Sequence, residues 1–273
     1  MAPEDVATDH ELPDMLTLSG EAQELLAELD VQQRADGTDE PGIAAKLVTR
    51  PGPVDIGLLA TTVDLVAGHV ILRRGWPCGI STTEMTLNGV HRLQGPGELL
   101  VTTRVVSVSA TRGCMELDLE VEGSGRGPAI GTAVFKLFRW DDLAHVPAPG
   151  PWKVGVPTRS LEEPLWRRAG IEVDAVAGVA RVDLRPEIAN HVDSLQGGVT
   201  SALLEAAATT RLDPDHEVRS VALTFLSQGR NGPFEATARR PGPDGDVVVS
   251  AAVDRGSDDR PLAHAVFTSA PRL

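Results

Sequence analysis

The sequence predicts an α+β protein made of two similar halves, each with one strand, one buried helix and then three or four antiparallel strands. Three observations support this class. The same order of features occurs twice along the chain, each copy contains one apolar stretch with helical spacing, and runs of alternating polarity follow that stretch. Short turns between successive strands favour an antiparallel sheet, and a single helix per half makes the class α+β.

The first strand of each half is predicted from an alternating run that stops at an Arg-Pro pair. The two runs are GIAAKLVTRP from Gly42 and GVARVDLRP from Gly178. Because proline cannot donate a hydrogen bond to a sheet ladder, we expect both strands to end at these pairs.

A buried helix is predicted next in each half, after a glycine. The stretches GLLATTVDLVAG from Gly57 and GVTSALLEAAATTRL from Gly198 have apolar residues at helical spacing and are apolar on nearly every side. Each stretch carries one carboxylate, seven residues after its glycine: Asp64 in the first half and Glu205 in the second. A helix of this kind suits a position wrapped by a sheet.

The later strands repeat as well. TTEMTL from Thr82 aligns with SVALTF from Ser220, a Gly-Pro pair follows each, and the last strands contain TAVFK and HAVFT. We interpret the repeated order as an internal duplication. It predicts an N-terminal extension over 1–40, a first repeat over 41–145, a proline-rich linker over 146–165 and a second repeat over 166–273. A short helix is expected near residues 21–29, and GSGRG from Gly123 is expected to form a hairpin turn.

Composition excludes several classes of function. A net charge of -14 argues against a nucleic-acid-binding protein, although a few arginines could still hold the phosphates of a small substrate. Cys78 and Cys114 lack metal-ligand spacing, as do the histidines, so we expect reduced thiols, no metal and no cofactor. The chain shows no signal peptide and no long apolar run, so we expect a cytoplasmic protein without a membrane span.

The second half contains NHVDSLQGGVTSALLE from Asn190 to Glu205. This segment resembles the signature of PaaI-like hotdog acyl-CoA thioesterases, in which an asparagine, a short loop and a Gly-Gly pair precede an acid. The resemblance implies a tandem double hotdog, each unit an antiparallel sheet wrapped around a central helix. It also implies hydrolysis of an acyl-CoA or acyl-carrier thioester at sites shared between two units.

The chemistry of this spacing can be stated from the residues. A Gly-Gly pair at a helix start leaves N–H groups exposed at the positive end of the helix dipole, where they could stabilise an oxyanion. The acid seven residues later lies about 10 Å from the start of its own helix, at 1.5 Å per residue. Since that is too far to act on the same carbonyl, we expect each helix start to face the acid of the other half.

Two unequal sites follow from this pairing. Site A combines the second half's helix start with the first half's acid: Asn190, Gln196, Gly197, Gly198, Asp64 and Thr82. We expect the Gly197 N–H to polarise the thioester carbonyl, Asp64 to act as general base or nucleophile, and Thr82 to bond the water or the carboxylate. Asn190 would orient the water or hold the thioester, while Gln196 and Gly198 would contact substrate.

Site B would combine Gly57 with Glu205 and Ser220. The first half has Ile56 in place of the first glycine, and it lacks the asparagine loop, because its connection from Arg-Pro to glycine is half as long. We therefore expect site B to be inactive, or reduced to binding. His191, next to Asn190, is expected to be an exposed loop residue.

Two other functions stay open at this point. The chain could bind an acyl thioester or another apolar ligand without hydrolysing it. Hydration or dehydration of an enoyl thioester is the third possibility, but it needs an Asp and a His arranged on the active loop, and residues 190–201 lack that arrangement. One chain supplies both units of a site, so the protein could be a monomer or a homodimer.

Overall fold

The structure is a computed structural model that describes residues 44–73, 78–139, 163–190, 193–242 and 246–272. The predicted N-terminal extension and its helix, most of the predicted linker, and His191 lie outside these residues. The predicted core elements of both halves lie within them.

In the part of the chain that the structure describes, eleven strands form one antiparallel sheet. The strands of the first half are β1 (Ala44–Pro53), β2 (Cys78–Asn88), β3 (Gln94–Val108), β4 (Arg112–Val121) and β5 (Ala129–Arg139). Those of the second half are β6 (Glu172–Asp174), β7 (Val179–Val182), β8 (His216–Phe225), β9 (Phe234–Arg239), β10 (Val247–Asp254) and β11 (Arg260–Pro271). The predicted hairpin turn from Gly123 is confirmed, since it joins β4 to β5.

Within the described residues, three α-helices accompany the sheet: α1 (Ile56–Arg73), α2 (Leu165–Arg168) and α3 (Gly197–Thr209). Short 3-10 turns cover Val90–Arg92, Pro186–Ile188 and Arg255–Ser257. The two predicted buried helices, α1 and α3, are thus confirmed. Among the described residues, no helix combines the length and apolar character needed to cross a membrane.

Followed outward from the central β2–β8 pair, five strands occur in matching order on each side, and the second half adds β6 at its edge. The order runs β2-β5-β4-β3-β1 in one direction and β8-β11-β10-β9-β7-β6 in the other. The repeated sequence motifs take matching registers: Met85 pairs with Ala133, Leu223 pairs with Ala265, and Met85 and Leu223 pair with each other. The residues that the sequence alignment equates therefore meet at the junction of the two halves.

The core lies where α1 and α3 pack on each other and on the sheet. Side chains such as Leu59, Val63, Leu203 and Leu204 are fully buried there. Each such leucine or valine contributes about 1.5–3 kcal/mol through removal of its apolar surface from water. Because most of the described side chains of both helices are buried, their apolar character matches their surroundings.

The predicted ends of the first strands are wrong in both halves. Strand β1 continues through Arg50-Pro51 to Pro53, with a register shift between Thr49 and Gly52. It is an edge strand, so Pro51 can be accommodated at this irregularity without removing an essential ladder bond. Strand β7 ends earlier than predicted, at Val182, and Pro186 instead begins a 3-10 turn.

Candidate functional site

Helix α3 begins at Gly197, and the N–H groups of a first helical turn have no partner within the helix. Gln196 precedes the helix in an extended conformation and provides no side-chain cap. No hydrogen bond joins the N–H of Gly197 or Gly198 to any residue that the structure describes. Two N–H groups at the positive end of the helix therefore have no hydrogen-bond acceptor among the described residues.

Asp64 of α1 lies beside this helix start. A methyl group placed on Gly197 would be 3.9 Å from Oδ2 of Asp64 and 3.8 Å from the ring of Phe225. The other carboxylate oxygen, Oδ1, accepts a hydrogen bond from the hydroxyl of Thr82 on β2. The structure thus brings together Asp64, Thr82 and Gly197, which the sequence had assigned to site A.

The surroundings of Asp64 affect its ionisation. Burial raises the pKa of the Asp64 carboxyl, because the charged form loses contact with water, and the Thr82 hydrogen bond opposes this by favouring the carboxylate. A carboxylate with a raised pKa is a stronger base than an exposed one, which suits proton abstraction from water.

The start of α1 has a different arrangement. Glu205 of α3 accepts hydrogen bonds from the N–H of Ile56 at 3.0 Å and from the N–H of Gly57 at 3.2 Å. The carboxylate thereby satisfies two donors of the first turn and places a negative charge at the positive end of the helix. Ser220, the predicted partner of Glu205, shares a hydrogen bond with the hydroxyl of Thr268.

The lengths of the two acidic side chains explain the difference. Glutamate has one more methylene than aspartate, so Glu205 reaches the amides of the opposite helix. Asp64 stops beside the opposite helix and bonds Thr82 instead. Site A consequently combines a carboxylate with neighbouring N–H donors, whereas in site B the carboxylate and the donors are bonded to each other.

Asn190 and Gln196 hold the loop that leads into α3. Oδ1 of Asn190 accepts from the N–H and the hydroxyl of Ser194, at 3.1 and 2.9 Å. The amide Nε2 of the buried Gln196 donates to the carbonyl of Ala189 at 3.3 Å. These contacts position Gly197; the substrate contacts expected of Asn190 and Gln196 stay predictions.

Gly198 lies in the contact between the two helices. A methyl group placed there would come within 1.6 Å of Oγ1 of Thr61, and one placed on Gly57 would come within 2.5 Å of Cβ of Ala202. Packing alone therefore requires glycine at both positions, independently of any substrate. Gly197 differs, because a methyl group there would make only ordinary contacts.

Phe225 is the residue of this region that the sequence analysis missed. It is the last residue of β8 and is partly buried, with its ring against the Gly197 position and near Asp64. The only sequence signal was its place at the end of the aligned motif SVALTF, where the first half has Leu87. An apolar side chain carries no catalytic group, so motif searches do not single it out.

The described residues contain no group of three or more His, Cys, Asp or Glu side chains arranged to hold a metal ion. Cys114 is a partly buried free thiol. The groups that the structure brings together at site A are the Asp64 carboxylate, the Thr82 hydroxyl and the backbone amide of Gly197.

No family model and no curated protein sequence matches the chain. Solved structures do match, at low sequence identity. An acyl-ACP thioesterase from Bacteroides thetaiotaomicron has a TM-score of 0.59 and 12% identity, and the match covers 83% of this chain and 97% of that one.

Two further structures agree. A 12:0-ACP thioesterase from Umbellularia californica has a TM-score of 0.57 at 8% identity, covering 85% of this chain and 98% of that one. The tesB protein of Mycobacterium avium subs paratuberculosis has a TM-score of 0.56 at 10% identity, covering 93% and 100%. The chain therefore has the hotdog fold of these thioesterases, and identities this low show the fold alone.

Proposed function

We propose that this protein is a thioesterase that hydrolyses an acyl-CoA or acyl-carrier thioester at site A. The observation that carries the proposal is the meeting of Asp64 with the start of α3, where the N–H groups of Gly197 and Gly198 donate to no described residue. The thioesterase structures that share the fold support the reaction class.

In this mechanism the thioester carbonyl accepts a hydrogen bond from the Gly197 N–H, which stabilises the negative charge that develops on the oxygen. Asp64 either removes a proton from the attacking water or attacks the carbonyl carbon itself. With Asp64 as base, collapse of the tetrahedral intermediate breaks the C–S bond, the leaving thiolate takes the proton held by Asp64, and the acid is released. With Asp64 as nucleophile, the collapse releases the thiol and leaves an acyl-aspartyl anhydride, which water then hydrolyses to the acid and the regenerated carboxylate. Thr82 orients the Asp64 carboxylate through its hydrogen bond.

We also propose that the chain is a tandem double hotdog related to the PaaI-like enzymes. The repeats would span 41–145 and 166–273, with the linker over 146–165 and the extension over 1–40. The strand order on the two sides of the β2–β8 pair supports this arrangement, as do the matching registers of the repeated motifs. Site A is then the one hydrolytic site, since the amides of site B are bonded to Glu205.

The test is a thiol-release assay over a panel of acyl-CoA and acyl-carrier thioesters. The wild-type protein is expected to release thiol, and Asp64→Asn should lower kcat by about 10²–10⁴-fold because the base or nucleophile is lost. Glu205→Gln is the matched control in the other half: it removes the same kind of charge and should leave kcat within a few-fold of wild type.

Two results would contradict the proposal in different ways. A rate that survives Asp64→Asn but disappears in Glu205→Gln would move hydrolysis to site B. Binding of acyl thioesters by the wild-type protein without any release of thiol would favour the non-catalytic alternative.

A further inference from the structure

Four basic residues lie close to one another near Ser220 of site B, beside the end of β2 that is farther from Thr82. This basic cluster consists of His91, Arg92, Arg126 and Arg219. The backbone positions it: Gly89 donates to the carbonyl of Arg219 at 2.8 Å, next to the β2–β8 pairing of Asn88 with Ser220.

Other contacts tie the cluster to the start of α1. The guanidinium of Arg92 donates to the carbonyl of Pro128 at 3.2 Å, at the end of the hairpin turn that carries Arg126. Val54, two residues before Ile56, donates to the carbonyl of Leu93 at 3.0 Å. The cluster therefore lies next to the segment whose amides Glu205 binds.

Charge within the cluster is not balanced. Several arginines elsewhere form ion pairs: Arg104 with Glu116, Arg181 with Glu235, and Arg240 with Asp213. By contrast, no described carboxylate lies within ion-pair distance of Arg92 or Arg126, and both side chains are exposed. The one described carboxylate that acts on His91 is Glu217, 3.1 Å from Arg219, whose guanidinium also donates to the carbonyl of Pro271 at 3.0 Å. A local positive charge thus persists on a protein whose net charge is -14.

Two nitrogens of the cluster are enclosed without a hydrogen-bond partner among the described residues: Nδ1 of His91 and Nε of Arg219. Burial lowers the pKa of His91, and the charges of Arg219, Arg92 and Arg126 lower it further, while Glu217 raises it. The imidazole is therefore predominantly neutral at pH 7. An anion that neutralised the arginines around His91 would therefore change the pKa of its imidazole.

We propose that Arg92, Arg126 and Arg219 form a binding site for a phosphate group, either inorganic phosphate or a phosphate of the CoA nucleotide. Guanidinium groups match phosphate oxygens through paired N–H donors, and the exposure of two of them leaves the approach from solvent free. Because the nearby N–H groups of Ile56 and Gly57 donate to Glu205, these amides do not take part in the proposed site. The site is independent of the chemistry proposed for site A.

The test follows the imidazole C–H resonance of His91 by NMR in the full chain, assigned with His91→Gln. Inorganic phosphate, dephospho-CoA and CoA are each titrated. A bound phosphate should raise the pKa of His91, because it offsets the neighbouring positive charges. The double change Arg92→Ser with Arg126→Ser should weaken binding at least tenfold.

Arg104→Ser is the matched control. It removes a positive charge from an exposed side chain on β3 and should leave the affinity unchanged. Saturation by inorganic phosphate would identify a site for simple anions. A response to CoA alone would identify a site for a phosphate of the CoA nucleotide. Absence of any His91 response to all three ligands, or equal weakening by Arg104→Ser, would overturn the proposal. Asp64→Asn should retain phosphate binding, so this test and the hydrolysis test can fail separately.

Discussion

The starts of α1 and α3 differ in how they use a carboxylate from the opposite helix. At α1, Glu205 bonds the N–H groups of Ile56 and Gly57, and the helix end is satisfied within the protein. At α3, Asp64 lies beside Gly197 but bonds Thr82, and the amides donate to no described residue. One methylene thus separates an arrangement that stabilises the fold from one that could bind a carbonyl.

The two arrangements also differ in their effect on stability. Glu205 stabilises the start of α1, since hydrogen bonds to a charged group contribute about 1.5–3 kcal/mol. The raised pKa of Asp64 means that the folded chain binds the proton more tightly than the unfolded chain does. Ionisation of Asp64 therefore removes stability as pH rises through the folded pKa. Site A retains this loss of folding stability, as functional sites commonly do.

Lengthening the side chain of residue 64 tests directly whether side-chain length explains the difference between the starts of α1 and α3. In Asp64→Glu the carboxylate should reach the α3 amides as Glu205 reaches those of α1, so that the N–H donors become bonded to protein. We expect kcat/KM to fall by about 10²–10³-fold, the usual effect of losing an oxyanion donor. We also expect the free energy of unfolding to rise by about 1 kcal/mol, because the α3 amides gain a hydrogen bond to a charged carboxylate.

Steady-state kinetics and denaturant unfolding measure the two effects on one preparation. Full activity in Asp64→Glu would show that the α3 amides do not serve the reaction.

Substitutions at Gly197 and Gly198 distinguish an effect on helix packing from an effect on the reaction. Gly198→Ala should destabilise the protein by about 3 kcal/mol, because overpacking against Thr61 forces the helices apart. Gly197→Ala should leave stability within about 1 kcal/mol of wild type, since its methyl group makes ordinary contacts. It should nevertheless lower kcat/KM, because the methyl group would occupy space beside the Asp64 carboxylate, 3.9 Å from Oδ2.

Thermal unfolding of the two variants side by side checks this. Equal destabilisation by both would mean that the start of α3 is as tightly packed at Gly197 as at Gly198.

The smallest effect is expected at Thr82. Thr82→Val removes a hydrogen bond that lowers the pKa of Asp64, so that pKa should rise further. Because the proposed reaction needs the ionised carboxylate, the acidic limb of the pH–rate profile should move to higher pH. The plateau rate at high pH should change less than tenfold. An unchanged acidic limb would show that Asp64 is not the group titrating in that limb.

Local patterns were sufficient to predict much of the fold. Helical periodicity predicted α1 and α3, and the repeated motifs predicted the strands that pair as Met85 with Ala133 and Leu223 with Ala265. The spacing of seven residues also placed an acid on each helix. Such features depend only on residues that are neighbours along the chain, so they can be predicted from the sequence.

The ends of the first strands could not be predicted in the same way. The sequence rule that proline ends a strand was wrong for β1, because its edge position and register shift accommodate Pro51. Phe225 and the basic cluster were missed for a related reason. Their members become neighbours only when β2 and β8 pair across the two halves.

The order of residues along the chain is enough to predict the duplicated elements and the two helices that each carry one acid. Tertiary structure alone decided that Glu205 bonds the amides at Ile56, 149 positions away, while Asp64 remains beside Gly197 without bonding it. It likewise decided that Gly198 is required by contact with Thr61. The physical reason is that these outcomes depend on how closely two helices approach, and that distance is set by packing across the whole core.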